Sequence, residues 1–452
     1  MNGMETENKL KTPGSIIIER FKDLINKADL YKMNGKVSDV VGLVIISTGP
    51  NVSLGELCII VDKSGNEVCK SEVVGFKEGK VLSIAIGEIH NISPSCEIIA
   101  TGRTLSVGVG NGLLGRVIDG LGNPIDGKGE IFSSASLNIY REPPNPLDRK
   151  RISTPLQTGI RVIDGLLTVG TGQRIGIFAG SGIGKSVLLG MIARNTNADI
   201  NVITLIGERG REVREFIEKD LGEEGLKRSV VIAATSDKSA LIRMKGAFIG
   251  TTIAEYFRDQ GMNVVLMMDS VTRFAMAQRE IGLTVGEPPT TKGYTPSVFA
   301  LLPKLLERAG SISNGSITGF YTVLVDGDDM NEPIADAVRS ILDGHIVLSR
   351  KLANSGQYPA VDPLQSLSRV MPDVVDNDHR KRAMAFNEIL SVYKEAEDLI
   401  NIGAYVRGSN PQIDHALTKI SKLREFLKQD MSEKSSFEEA KKHLFTLIEQ
   451  PL

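Results

Sequence analysis

From about residue 36 to 101 the apolar positions fall into short β-type runs, VVGLVIIST, ELCIIVD, EVVGF, VLSIAIG and CEIIATG, separated by Gly, Pro, Asn and Asp-Lys turns. Several short strands at regular spacing predict a small closed barrel. Ahead of it, Ile17, Phe21, Leu24, Ile25 and Ala28 recur at helical spacing in SIIIERFKDLINKADL, which predicts a short amphipathic helix over residues 15–30. That helix either packs on its own protein or docks on a partner, and its place at a terminus favours docking.

After the barrel the pattern loosens. The passage GRVIDGLGNPIDGKGEI, rich in glycine with an Asn-Pro step, predicts a looped connection rather than an element. The prolines of REPPNPLDRKRISTPLQTG predict an extended linker. From about 150 to 365, apolar strands alternate with helical patterns: RIGIFAG, SVLLGMIARNT, INVITLIGE, REVREFIEKDL, SVVIAAT and NVVLMMD. This alternation predicts βα units on a parallel sheet. Beyond about 375 strand character ends, and RAMAFNEILSVYKEAEDLI and IDHALTKISKLREFLKQD read as helices. A last helix opens on Ser436-Phe437-Glu438-Glu439, which has the form of a capping box. The predicted organisation is a docking helix in 1–30, a β-barrel in 31–101, an α/β domain with a central parallel sheet in 102–374, and a helical domain in 375–452.

Composition narrows the function classes. A chain of 452 residues exceeds one ordinary hydrophobic core, in keeping with several domains. The formal net charge of −2, the absence of Trp and an aromatic content of 5% argue against a nucleic-acid binder, which needs basic surface and stacking platforms. Cys58, Cys69 and Cys96 lack CxxC spacing and read as buried free thiols; the five histidines are scattered, so no structural metal is expected. The longest apolar runs are too short to cross a bilayer and the first residues carry no signal-type apolar core, so a cytoplasmic protein is expected.

The chemistry lies in AGSGIGKS, Ala179 to Ser186, set between an apolar strand and a helical pattern. Gly180, Gly182 and Gly184 permit a tight loop whose backbone N–H groups face a phosphate, aided by the following helix dipole. Lys185 would reach the β- and γ-phosphates and the Ser186 hydroxyl would ligate Mg²⁺. Ala179 departs from the glycine usual at the first motif position. The run NVVLMMD ends in Asp269, placed as a strand-end carboxylate on the magnesium side. INVITLIG leads into Glu208 and Arg209, a carboxylate able to orient water and a cation able to steady phosphate oxygens. Arg211 and Glu212 read equally as surface ion-pair residues or as part of that site.

Taken together, AGSGIGKS, GERGREV, VVLMMDSVTRFA, DGHIVLSRKLA and YPAVDPLQSLSRV resemble the nucleotide-binding subunits of rotary ATP synthases and their relatives. Within that superfamily, GYTPSVFALLPKLLERAG, PPNPLDR and IGAYVRGSNPQID resemble the ATPases of type III protein export, the flagellar members most closely. The resemblance runs from about residue 30 to 445.

This resemblance implies a RecA-like ATPase domain between the barrel and the helices. By position it gives Lys185 and Ser186 the phosphate and Mg²⁺, with Ser181, Ile183 and Val187 completing the nucleotide-binding stretch. It makes Glu208 the catalytic carboxylate and Asp269 the second magnesium-side carboxylate. Tyr358 matches the aromatic that stacks on adenine, and Arg369 matches an arginine finger inserted into a neighbouring subunit. From the residues alone, Arg369 reads equally as a salt-bridge arginine, as does Arg350. The implied protein is a homohexameric Mg²⁺-dependent ATP hydrolase at the cytoplasmic face of the inner membrane. It would release export substrates from chaperones and feed a membrane export gate, with a regulator and central stalk proteins as partners. A virulence secretion ATPase is the near alternative. An RNA translocase would want a basic, aromatic barrel face, and the barrel run offers only Phe76. A non-hydrolysing rotary subunit would lack the carboxylate that Glu208 supplies.

Overall fold

The run VVGLVIIST is two strands: β1 (Gly35–Val41) turns back on β2 (Val44–Thr48) with Val41 opposite Val44. Gly42 makes the turn at φ 60°, a left-handed conformation that costs glycine little. With β3 (Glu56–Val61), β4 (Glu67–Lys77), β5 (Lys80–Ile86) and β6 (Glu97–Thr104) these strands close a barrel in the order β1-β2-β5-β4-β3-β6. Its interior holds Val37, Ile45, Cys58, Ile60, Val73, Val81, Cys96 and Ile98. Burial pushes the Cys58 thiol up to about 12 and the half-buried Cys69 thiol up to about 11, leaving both as packing groups.

The computed structural model describes residues 34–87, 91–325, 327 and 329–449. They divide into two units, the first ending at Arg103 and the second beginning at Thr104. The helix expected over residues 15–30 lies outside the described residues.

The second unit is built on a nine-stranded sheet. Its path pairs β19 (Leu367–Ser368), β18 (Gly344–Leu348), β12 (Arg174–Ala179), β17 (Gly315–Leu324), β15 (Asn263–Asp269), β13 (Ile200–Ile206), β14 (Ser229–Ala234) and β8 (Arg116–Asp119) in that order, and β16 (Gly310–Ile312) pairs with β17. Two small ribbons flank it, β7 (Ser106–Val109) with β9 (Ala135–Asn138) and β10 (Pro155–Leu156) with β11 (Val169–Gly170). The strands from β18 to β8 run parallel, as the alternation of runs requires, and β13 and β14 are buried along their whole length.

The passage expected to be a loop contains β8, an edge strand parallel to β14. Two aspartates bracket it. Asp126 accepts from Arg116 Nε at 2.7 Å and from the Val117 N–H at 3.0 Å, and Asp119 accepts from the N–H groups of Leu121 and Asn123, both at 2.8 Å. The side-chain clamps define a strand too short for periodicity to reveal.

The last three helices, Asn377–Asn401, Pro411–Leu427 and Phe437–Leu447, share a core with the sheet. Phe386 and Phe426 meet at 5.4 Å between ring centroids and join Ile160, Ile163 and Leu444. A Cβ on Gly165 would lie 2.7 Å from the Phe426 ring, so glycine there permits the close approach. The capping box at Ser436 and Glu439 is formed as expected. Among the described residues no helix is long and apolar enough to cross a membrane.

Candidate active site at the phosphate loop

Strand β12 ends at Ala179, and the chain turns through the glycines into the helix Lys185–Asn195. Gly182 and Gly184 take φ values of 77° and 88°, conformations open to glycine and strained for other residues. Ala179 is a strand residue paired with Leu324 and Leu348, which is why that motif position tolerates a side chain here. Ile183 is buried and anchors the loop, while Ser186 and Val187 are half-buried in the first helical turn. A Cβ on Gly182 would meet nothing within 4 Å, so the loop opens onto free space.

Neighbouring strands bring two carboxylates to the loop. Leu205 of β13 pairs in register with Asp269 of β15, and Gly207, at φ 69°, turns the chain from β13 into Glu208. Lys185 Nζ lies 3.3 Å from Glu208 Oε1 and forms a close ion pair with Asp269 Oδ1. Asp269 Oδ1 also accepts from Thr322 Oγ1 at 2.8 Å. Burial disfavours the Lys185 charge, but Asp269 and then Glu208 outweigh it and hold the ammonium above its ordinary range. Glu208 is pushed up to about 7, chiefly by burial, with Asp269 and a hydrogen bond to Glu212 acting in the same direction and Lys185 opposing. That hydrogen bond keeps Glu212 below its usual range.

Glu212, though exposed, thus lies against Glu208. Arg211, 82% exposed and 3.9 Å from Glu215, is a surface residue. Arg209 stands exposed at the start of the helix Gly210–Glu215, where its charge helps keep Glu212 ionised. Tyr358 lies over the loop, its ring 3.6 Å from the Cβ position of Gly184. It lines a cavity of 920 Å³ with Val187, Met191, Arg424, Lys428 and Met431.

Arg369 is not brought to this site. It follows β19, donates its backbone N–H to Asp343 O at 3.1 Å, and is exposed. Asp343 in turn bonds to the carbonyl of Arg174, at the start of β12. The loop leaves the other end of β12, five residues on, roughly 16 Å away at about 3.3 Å per residue. Two contacts escaped the residue pattern. Arg350, for which the residues alone offer a salt-bridge role, donates from Nη2 to the loop carbonyl of Ser181 at 3.2 Å. Thr322 sits within the buried run FYTVLV, beside the equally buried hydroxyl of Tyr321, so the pattern does not single it out.

The donor chemistry fits a magnesium nucleotide. Ser186 and Asp269 offer hard oxygen ligands, and among the described residues no group of three or more His, Cys, Asp or Glu could hold a metal alone. A magnesium ion shared with phosphate oxygens and water needs no such cage.

Comparison with known proteins gives the same outline. The nucleotide-binding domain of the ATP synthase alpha/beta family matches residues 159–368, and the beta-barrel domain of that family matches 37–102. The T3SS EscN ATPase C-terminal domain matches residues 375–446. The chain is 59% identical to the flagellum-specific ATP synthase of Bacillus subtilis, over 92% of this chain and 96% of that protein. It is 53% identical to the type 3 secretion system ATPase of Xanthomonas euvesicatoria, over 89% and 91%. The assembled ATPase EscN of enteropathogenic E. coli superposes with a TM-score of 0.87 at 46% identity, covering 91% of this chain and 99% of that one. EscN in complex with its central stalk EscO gives 0.85 at 45% identity, covering 91% and 99%.

Proposed function

The chain belongs to the ATP synthase alpha/beta family, in the branch of flagellum-specific ATP synthases and type 3 secretion system ATPases, and from that membership we propose that it is the ATP hydrolase of a flagellar protein export apparatus. The observation that carries the chemistry is Lys185 at the loop end, facing Glu208 and Asp269 together.

In the proposed mechanism Lys185 exchanges its two carboxylates for the β- and γ-phosphates of ATP, and the loop N–H groups from Gly180 to Lys185 hold the remaining oxygens. Ser186 and Asp269 would hold Mg²⁺, which would supply neutralisation of developing phosphate charge. Glu208 orients the attacking water and takes up its proton, standing at the loop end beside Lys185 where the γ-phosphate would lie. Tyr358 stacks on the base. Arg369, too far from its own loop, serves the site of an adjacent copy, which makes a closed homohexamer the working form.

EscN has been solved assembled and with its central stalk, and this supports a ring threaded by a stalk protein here. Substrate release from chaperones, delivery to a membrane export gate, control by a regulator bound to residues 1–30 and a location at the cytoplasmic face of the inner membrane complete the proposal. The flagellar assignment rests on 59% identity to a flagellar relative against 53% to a secretion ATPase. Steady ATP turnover by the purified protein tests the enzyme, and a pull-down from native cells separates the two systems. Recovery of rod, hook and filament proteins supports flagellar export; recovery of effectors instead would reassign it.

A further inference from the structure

Gln429, 5% exposed, sits where the C-terminal helices meet the nucleotide cavity. Its Oε1 accepts from the backbone N–H of Arg161 at 2.8 Å. Its Nε2 donates to the carbonyl of Gly159 at 2.8 Å and to that of Glu433 at 3.2 Å. Its own backbone N–H donates to the carbonyl of Tyr358 at 2.9 Å. The amide thus spends both ends on one turn, residues 159–161, while its main chain holds the residue that walls the cavity.

The turn is a fixed anchor. Asp164 accepts from the N–H groups of Thr158 and Gly159 at 2.9 and 3.0 Å and from Thr158 Oγ1 at 2.7 Å. Arg161 adds an ion pair to Glu433, beyond Gln429. A clamp between a rigid turn and the segment 428–433 restrains whatever hangs from that segment. What hangs from it is the backbone of Tyr358, whose ring covers Gly184. Lys428 and Met431, on either side of Gln429, line the same cavity.

We propose that Gln429 is a positioning residue for the base end of the nucleotide site: it fixes the height of Tyr358 above the phosphate loop, and so sets affinity for ATP without touching the reacting phosphate. The inference rests on the reading of this cavity as the base pocket. A buried amide that loses its partners leaves the Arg161 N–H and the Gly159 carbonyl unpaired, and that cost is relieved by the segment moving away.

The test is steady-state hydrolysis by full-length assembled protein carrying Gln429→Leu, with Tyr358→Ala and the double variant alongside. KM for ATP should rise about tenfold in Gln429→Leu, with kcat within about twofold of wild type. Competitive inhibition by magnesium tripolyphosphate, which has the phosphates and no base, should be unchanged. In the Tyr358→Ala background, Gln429→Leu should add nothing. Should the leucine variant fail to fold, Gln429→Glu decides, because it keeps the acceptor for Arg161 and loses the donors; its KM should also rise. Unchanged KM in the folded Gln429 variants, a tripolyphosphate constant that rises in step with KM, or multiplying effects in the double variant would overturn the relay. Wild-type KM in Tyr358→Ala would overturn the base-pocket assignment itself, and the relay with it.

Discussion

Lys185 Nζ lies 3.3 Å from Glu208 Oε1, which joins the end of the phosphate loop to the first residue beyond the turn after β13. With Asp269 on its other side, one ammonium compensates two carboxylates that are 15% and 3% exposed. Lys185→Ala therefore removes the γ-phosphate contact and also leaves two uncompensated acids together. Hydrolysis should be lost. The fold should survive because Glu208, already displaced upward by burial, takes up a proton more readily once Lys185 no longer opposes it. A melting scan at two pH values checks this: the variant should fall below wild type at pH 8 and approach it at pH 6. Equal melting at both would mean that the three groups are not coupled.

The same carboxylate gives wild type a pH dependence. An acid whose folded pKa lies above its unfolded value costs nothing below the unfolded pKa, and the cost grows as pH rises through the interval. For Glu208 that interval runs from 4.5 to about 7. Asp164, raised by burial from 3.8 to about 7, contributes a slope of the same sign. Between about pH 5 and 7 Glu208 and Asp164 pull stability down, while His345, His379 and His443, whose values burial depresses, pull it up; Glu208→Gln should therefore shift the net slope of the nucleotide-free protein upward by removing part of the downward pull. Denaturant titrations across the range measure it; an unaltered slope in Glu208→Gln would assign the whole effect elsewhere.

Glu208→Gln keeps the shape of the side chain and loses its ability to take a proton from water. The variant should bind ATP and hydrolyse it at least about tenfold more slowly, a barrier increase of about 1.4 kcal/mol or more. Single-turnover measurement separates the two steps. Activity within a few-fold of wild type would hand the role to another group, with Glu212 the first to examine.

The barrel, the parallel sheet and the C-terminal helices were legible because each buries one face, or both, at a period the sequence displays. Strand β8 was not, since two aspartate clamps define it inside a glycine-rich passage. Nor was the π-helical turn Phe216–Leu221 within the expected helix REVREFIEKDL. Residue Asp220 of that turn packs so tightly on Gly190 that a Cβ there would come within 2.6 Å, a tertiary constraint with no periodic trace. At the site, Lys185, Glu208 and Asp269 could be read from motif and strand ends. Arg350 and Thr322 could not, because their partners Ser181 and Asp269 are 169 and 53 residues distant in sequence.

Phe426 tests the union of helices and sheet. It is fully buried against Gly165 and Phe386. Phe426→Ala should cost about 3–5 kcal/mol. Because the core is continuous, the sheet and the helices should unfold in one transition at lower denaturant. A separate early transition confined to the helices would show that they fold independently.

Arg369 lies beside Asp343 at the start of β18, roughly 16 Å along the strands from its own phosphate loop. If it completes the site of an adjacent subunit, Arg369→Ala should leave nucleotide binding intact and depress hydrolysis by roughly 10³ to 10⁵, the range of other arginine fingers. Mixing gives the sharper test. A Glu208→Gln subunit still donates its arginine, and an Arg369→Ala subunit still offers its carboxylate, so at a boundary of the right order one complete site forms. Mixtures should recover activity that neither variant has alone, and wild-type activity per subunit should rise with protein concentration as rings assemble. Normal hydrolysis by Arg369→Ala, or full activity from a demonstrably monomeric sample, would make the site self-sufficient and leave Arg369 a structural residue of the β18 edge.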